Sequence, residues 1–405
     1  MEQADCIIVG GGIGGAVLGL ALAQKGIQVL ILEKELTPPA AGRPEVLASS
    51  TVNIFHRLGV GERFIKESAV PLKGVQAWQS GTKNLILDIH EPDLLRNNFQ
   101  PYSTNPNVTR KIILELAEKS SHITVKRGVE VTDLIREGGR IVGVRALAVG
   151  EKMEFRSRLV VGDDGGHSKV RSSLGIHLKL REFPLIFLAA AGNLLPGQPA
   201  DRGQVWISPK KIKSGIFGGI FLPQLDGKSA FVFLMAPKIH QRFLNESPEQ
   251  FYQALTELSP LCFGIEKHFR FPDNFHVFHR PYGHSKTYVA DGAVLIGDAA
   301  HPVTPAGGQG ANMSVADAVS LARIIEADLK KGRVSLGVLK QYEQERRPAN
   351  QRSVQISART DLIFRIVGTF QFLMPVLIYI LRKMNRDNSL KDRFVKTLSQ
   401  SFLSD

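Results

Sequence analysis

The stretch CIIVGGGIGGAVLGLALAQKGIQVLILEKE, residues 6–35, limits what this chain can fold into more than any other. Cys6–Val9 reads as a buried strand, and Gly10, Gly12 and Gly15 follow at the spacing of a phosphate-binding turn. A helix runs from about Gly14 to Lys25, with Gly26 as its C-terminal cap. A second strand, Ile27–Leu32, ends on Glu33. In such a unit one glycine makes the tight turn, one lets a pyrophosphate approach the backbone, and one lets helix and strand pack closely. The helix start then offers unpaired N–H groups and the positive end of its dipole. An acid about 20 residues on can accept the hydroxyls of an adenosine ribose, which favours FAD or NAD over NADP at this seat. Gly10, Gly12, Ile13, Gly14, Gly15, Glu33 and Lys34 are therefore candidate dinucleotide contacts.

Two further stretches repeat the pattern of a strand meeting flexible backbone. In LVVGDDGGHSKVRSSLG, residues 159–175, an apolar strand meets Asp163, Asp164, Gly165 and Gly166, and a short basic helix with Lys169 and Arg171 follows. In VLIGDAAHPVTPAGGQGAN, residues 294–312, a strand ends at Gly297 and Asp298, and a glycine-rich loop leads to a helix starting near Gly310. So much small-residue backbone fits a large polar ligand lying against main chain. The helix start would put positive potential where a ring system gains negative charge.

Together the three stretches resemble the FAD-dependent monooxygenases of the para-hydroxybenzoate hydroxylase type, over most of residues 5 to 355. Lesser matches carry the same resemblance: RPEVLASSTVNIFHRLG, led by Arg43; VTRKIILELA, with Arg110; and RGVEVTDL, with Val131. The resemblance implies Arg43 near the FAD phosphates, Arg110 near the cofactor, and the backbone of Val131 at the adenine. It implies Asp164 and Gly297 in the two shared motifs, Asp298 at the ribityl or pyrophosphate end, and Gly310, Ala311 and Asn312 along the pyrimidine side of the flavin. Pro305, Gly308 and Gly310 would border the reactive edge of the ring. The implied chemistry is a transient visit by NADH or NADPH, addition of O2, and transfer of one oxygen atom through a flavin hydroperoxide to a hydrophobic, aromatic substrate. Ubiquinone-biosynthesis hydroxylases are the nearest flavour, by LASSTVNIFHRLGV and YEQERRPANQRSVQISARTDLIFRI.

The chain departs from the pattern in one place: Gly-Ala-Asp-Gly becomes Gly162-Asp163-Asp164-Gly165, which leaves open which aspartate does the usual work. A helix N-cap is the expectation for Asp163. His301, in DAAHP, is expected to make a structural hydrogen bond. There is no second dinucleotide fingerprint and no Trp-x-Trp-x-Ile-Pro stretch, so a two-dinucleotide reductase and a halogenase are disfavoured. A flavin-dependent reductase or epoxidase acting on an isoprenoid or other lipid stays open, as does a non-enzymatic flavin-binding protein. No catalytic side chain can be assigned and no metal site is expected.

At 405 residues, 43% hydrophobic and 22% charged, the chain reads as a globular α/β protein of more than one domain. The expected division is a discontinuous Rossmann-like FAD domain (1–72, 105–180 and 285–355), an inserted mixed-sheet substrate domain (73–104 and 181–284) and a helical tail (356–405). Asp226-Gly227 marks a hairpin. Trp206, Phe217 and Phe221 are candidate pocket liners, against ordinary core. Two cysteines and an N-terminus unlike a signal peptide point to the cytoplasm. The net charge of +13 comes without a nucleic-acid-binding motif, so nucleic acid is not an expected partner. The tail sequence RIVGTFQFLMPVLIYILRKMNR is apolar between cationic flanks and interrupted by Pro375. It reads either as a segment lying on an anionic membrane surface or as a helix buried against the FAD domain.

Overall fold

The computed structural model describes residues 2–37, 44–82, 84–208, 215–305, 308–369 and 373–400. Near-continuous apolar runs make the centre of an eight-stranded sheet, because parallel strands are buried on both faces. Cys6, Ile7 and Ile8 in strand Glu2–Val9 are fully buried, and every residue of Val29–Glu33 is buried. Four neighbouring strands run parallel in the order Ala293–Leu295, Glu151–Gly162, Glu2–Val9, Val29–Glu33, with Ile123–Arg127 parallel beyond. Strands Val129–Glu137 and Arg140–Ala148 add an antiparallel extension to the long strand Glu151–Gly162.

Helix Ile13–Ala23 is buried nearly all round, between this sheet and helices Pro106–Glu118 and Gln309–Lys330. Its small residues allow this: a Cβ on Gly19 would come within 2.9 Å of the Ile31 side chain. The helix ends on Gln24, and Gly26 takes the left-handed conformation that follows such an end (φ +78°).

A second sheet of seven strands collects Gly74–Gln79 and Leu85–His90 with strands from residues 186–278. Strands Ile216–Gln224 and Lys228–Met235 form the expected hairpin, with Asp226 and Gly227 both at positive φ. One face carries an aromatic core against helix Pro248–Leu258. Trp206 stacks on Trp78 there, and Phe221 meets Phe231 and Phe233 edge-on. Trp206 and Phe221 are thus core residues. Phe217 lies in the opposite cluster, with Phe183, Phe187 and Val232. Alternation alone would put Phe217 and Phe221, four residues apart, on one face; the bulge between Ile216 and Gly218 separates them.

The C-terminal segment is helical: Leu336–Thr369, Met374–Arg386 and Asn388–Gln400. The first of these helices buries Leu339 and Tyr342 against the core of the eight-stranded sheet, but the last two do not pack there. Met374, Ile378 and Val395 pack instead on Ile86, Leu87, Ile89 and Leu94, at the edge of the second sheet. Among the described residues no helix is long and apolar enough to cross a membrane.

Candidate cofactor site

Strand register brings the three glycine-rich stretches to one line. Leu32 pairs with Val9, Val9 with Gly162, and Gly162 with Leu295. The ladder extends one step further: Gly10 N–H donates to Leu32 O (2.8 Å), Asp163 N–H to Val9 O (2.8 Å), and Ile296 N–H to Gly162 O (3.0 Å). The turn at 10–12, the pair Asp163-Asp164 and the pair Gly297-Asp298 therefore all emerge from the carboxyl ends of adjacent parallel strands. In open α/β sheets that edge is where ligands bind.

Sterics require glycine here. Gly10 sits at φ +103°, and a Cβ on it would fall 2.3 Å from the Asp163 carbonyl oxygen. A Cβ on Gly15 would fall 2.3 Å from the Gly10 carbonyl oxygen. Gly12 is the N-cap of helix Ile13–Ala23 and has no side-chain cap, so the amides of the first turn, including Ile13 and Gly14, can serve an anion.

The buried Glu33 carboxylate stands beside this turn. Its Oε2 accepts from Gly11 N–H (3.0 Å) and from Arg110 Nη2 (2.6 Å), and its Oε1 accepts from Glu35 N–H (2.9 Å). Arg110 Nε also donates to the Gly11 carbonyl. Lys34 is exposed and 3.7 Å from Glu35. Val131 is buried in the antiparallel extension, its backbone paired with Ala146. Arg43 lies outside the described residues.

The two aspartates after Gly162 divide their work. Asp164 caps the short helix Lys169–Ser173, accepting from the Ser168 hydroxyl and from the amides of Lys169 and Val170 (2.6 and 3.0 Å). Burial raises its carboxyl above the usual range against those bonds. Asp163 caps a different helix: its Oδ2 accepts from Gly15 N–H at 2.6 Å, across 148 residues of sequence. Burial pushes its carboxyl well above the usual range, and Asp298, Asp164 and Asp317 add to the push.

Asp298 is partly exposed and accepts from Arg280 Nη1 at 2.8 Å. Behind it lies a buried polar network. Asp317 accepts from Gly297 N–H (3.1 Å), Arg346 Nε (2.8 Å) and Asn350 Nδ2 (3.0 Å), and its Oδ2 lies 2.5 Å from His301 Nε2. Burial opposes ionisation of Asp317, yet His301 and Arg346 hold its carboxyl well below the ordinary value. His301 is thus a buried support of the loop. Burial, with Arg347 and His301 nearby, lowers His284 to about 4, and its Nε2 lies 2.6 Å from the Tyr288 hydroxyl.

The helix Gln309–Lys330 starts from Gly308, which is left-handed (φ +65°) and whose N–H donates to Pro305 O (3.0 Å). A Cβ on Gly310 would meet Val303 and the Asp298 carboxylate at ordinary contact distances, 3.6 and 3.9 Å. Ala311 follows it, half-buried at the edge of the main core. The Asn312 side chain is fully used: it donates to Val46 O and Gly308 O and accepts from Ala48 N–H and the Thr51 hydroxyl. It ties the helix start to the strand Glu45–Ala48. On that strand burial raises the Glu45 carboxyl to about 7, and its Oε1 has no hydrogen-bond partner.

A dinucleotide with a flat ring fits these residues. A Cβ on Gly10 or Gly15 would close the glycine cradle, an anchored acid flanks it, and the helix start at 308–310 stands beside Asp298. Arg280, Asp317, Arg346 and Glu45 carry no local sequence signal. Arg346 meets Asp317 from 29 residues away, and nothing in either neighbourhood announces the pair.

Residues 3–357 match the family model described as FAD binding domain. The chain is 24% identical to 3-demethoxyubiquinol 3-hydroxylase of Escherichia coli, over 86% of this chain and 87% of that one. It is 27% identical to a ubiquinone hydroxylase of Rhodospirillum rubrum, over 90% and 82%. The fold is similar to that of p-nitrophenol 4-monooxygenase from Pseudomonas putida, with a TM-score of 0.80, 18% identity and 99% of each chain covered.

Proposed function

The chain belongs to the FAD binding domain family, and from that premise we propose that it hydroxylates a hydrophobic aromatic substrate, with NADH or NADPH as electron donor and O2 as oxygen source. It is an FAD-dependent monooxygenase. The observation that carries the reading is the single line Leu32, Val9, Gly162, Leu295, which gathers the three glycine-rich stretches at one seat. In this reading the nicotinamide donor visits and leaves.

In this reading the first-turn amides of helix Ile13–Ala23 hold the pyrophosphate and Glu33 takes the ribose hydroxyls. Asp298 takes the ribityl end, and the backbone from Gly308 to Asn312 lies along the ring. FAD, when bound, supplies the redox chemistry with O2. The chain's part is to orient the ring, keep its edge dry and position the substrate. The seven-stranded sheet is the substrate domain in this account. Its cluster of Phe183, Phe187, Phe217, Val232 and Phe278 reaches Phe364 on the long helix whose Ser357 hydroxyl accepts from Thr304 N–H. That apolar cluster next to the loop supports a hydrophobic substrate, as do the ubiquinone-type substrates in the names of two relatives.

We further propose that the C-terminal helices rest on an anionic membrane surface, where a lipid-tailed phenol would be found. Val376, Tyr379 and Ile380 are 51%, 66% and 55% exposed and share one face of helix Met374–Arg386 with Lys383. An exposed apolar face carrying cations is what an interfacial helix presents to anionic lipid.

Substrate-stimulated oxidation of NADH or NADPH tests the reading. FAD-loaded protein is given simple and prenylated phenols, and reductant consumption that rises with one of them is the expected result. Reduction of a lipid double bond without uptake of O2 would favour a reductase instead.

A further inference from the structure

Asp163 is a carboxyl group where the resembled pattern has a small residue, and three glycines make room for it. A Cβ on Gly12 would come within 3.1 Å of its Oδ2, one on Gly14 within 3.2 Å of both oxygens, and one on Gly297 within 2.9 Å of its Oδ1. The group therefore sits at the joint between the helix start that faces the pyrophosphate and the turn that carries Asp298. Its backbone is fixed by the bond to Val9 O, and its Oδ2 by the bond from Gly15 N–H.

The charged surroundings are one-sided. Helix Ile13–Ala23 contains no titratable side chain. The turn at 297–299 brings Asp298, whose charge is met by Arg280. Helix Gln309–Lys330 brings Asp317, met by His301 and Arg346. Asp164, next in sequence, is satisfied by Ser168 and two helix amides. On the first strand the acids Glu2 and Asp5 stand in its first half, away from Asp163, and Asp5 pairs with Arg158. Each neighbouring carboxylate is thus matched, whereas Asp163 has the single amide of Gly15. The phosphates of a bound dinucleotide would add two more negative charges at the same helix start.

We propose that Asp163 serves the cofactor seat as a neutral carboxylic acid, so that FAD binding is coupled to retention of a proton on this residue. The inference rests on the reading of the chain as an FAD protein. Protonated, the group keeps its bond from Gly15 N–H and adds no charge beside the pyrophosphate. Ionised, it would oppose the pyrophosphate across the first turn. Burial and the three neighbouring carboxylates favour the neutral form, well above the usual carboxylate range. By linkage, the affinity for FAD is level at low pH and falls as pH rises through the Asp163 pKa of the FAD-free protein, by up to about tenfold per pH unit.

The test is the affinity of FAD-free protein for FAD, followed by flavin fluorescence from pH 5.5 to 9 in wild type, Asp163→Asn and Asp163→Ala. The asparagine keeps a neutral acceptor for Gly15, and the alanine restores the small residue of the pattern. The expected result is a wild-type affinity that weakens with pH and variants that stay level across the same range. Calorimetry of FAD binding at pH 8, in two buffers of different ionisation enthalpy, should show proton uptake in wild type and none in either variant. Equal pH slopes and equal proton uptake in all three proteins would overturn the proposal. Failure of the wild-type chain to bind FAD at any pH would contradict the flavoprotein reading itself, and the proposal with it.

Discussion

Arg110 clamps Glu33: its Nη2 donates to the Glu33 carboxylate at 2.6 Å while its Nε donates to the carbonyl of Gly11 in the glycine turn. One guanidinium thus fixes both the acid that would take the ribose and the turn that would take the phosphates. The two side chains act as a unit. Arg110→Ala and Glu33→Ala are each expected to weaken FAD binding by roughly 10- to 100-fold, at about 1.5–3 kcal/mol for a charge-assisted hydrogen bond. The double variant is expected to lose less than the sum of the two. Fluorescence titrations of the three proteins measure the shortfall.

Asp317 anchors the loop that presents Asp298. Removing its charge leaves Arg346 buried without its partner, so Asp317→Asn is expected to cost about 3–5 kcal/mol of stability in denaturant unfolding at neutral pH. Its native pKa lies below the unfolded value, so its contribution is complete above the ordinary carboxylate range and is lost as pH falls through the native pKa. The variant should therefore show a flatter loss of stability on acidification.

Glu45 has the opposite sign. Its carboxyl is raised to about 7 in the folded chain, so the native state binds the extra proton between the ordinary value and 7. Stability should fall as pH rises across that window. Glu45→Gln should remove the fall and stabilise the FAD-free protein at pH 8 by about 3 kcal/mol, at 1.36 kcal/mol per pKa unit. Thermal melts at pH 5 and pH 8 check this. Equal gains at both pH values would contradict it.

The exposed face of helix Met374–Arg386 predicts lipid binding that needs both apolar area and negative charge. Flotation with vesicles containing phosphatidylglycerol should carry the protein, and pure phosphatidylcholine vesicles should carry much less. Replacing Val376, Tyr379 and Ile380 together with serine should abolish flotation without altering FAD affinity, because none of the three is buried.

What could be read from the sequence follows from how local each signal is. The glycine turn, Glu33 and the pair Gly297-Asp298 are short-range patterns at strand ends, and strand register brings them together. The two aspartates after Gly162 could not be told apart from sequence. The partner of Asp163 is an amide on a helix 148 residues away, while that of Asp164 is the next helix. Arg280, Arg346 and Asn350 reach the site through pairings 18 to 33 residues long, which no local pattern marks. Trp206 and Phe221 were candidates for the pocket because they are large and apolar, which is equally the mark of core, and strand alternation turns them into the core. The tail could be read as apolar and helical. Its packing surface, the edge of the second sheet, depends on Ile86, Leu87 and Ile89, almost 300 residues earlier.

Hydroxylation by this FAD-dependent enzyme means that one atom of O2 enters an aromatic substrate. Mass spectrometry of products formed under isotopically labelled O2, with FAD, a nicotinamide donor and the phenol that most stimulates its oxidation, follows that atom. The expected product is heavier by one labelled oxygen, with no label when the isotope is supplied in water. A product without labelled oxygen, or one formed equally in the absence of O2, would contradict it.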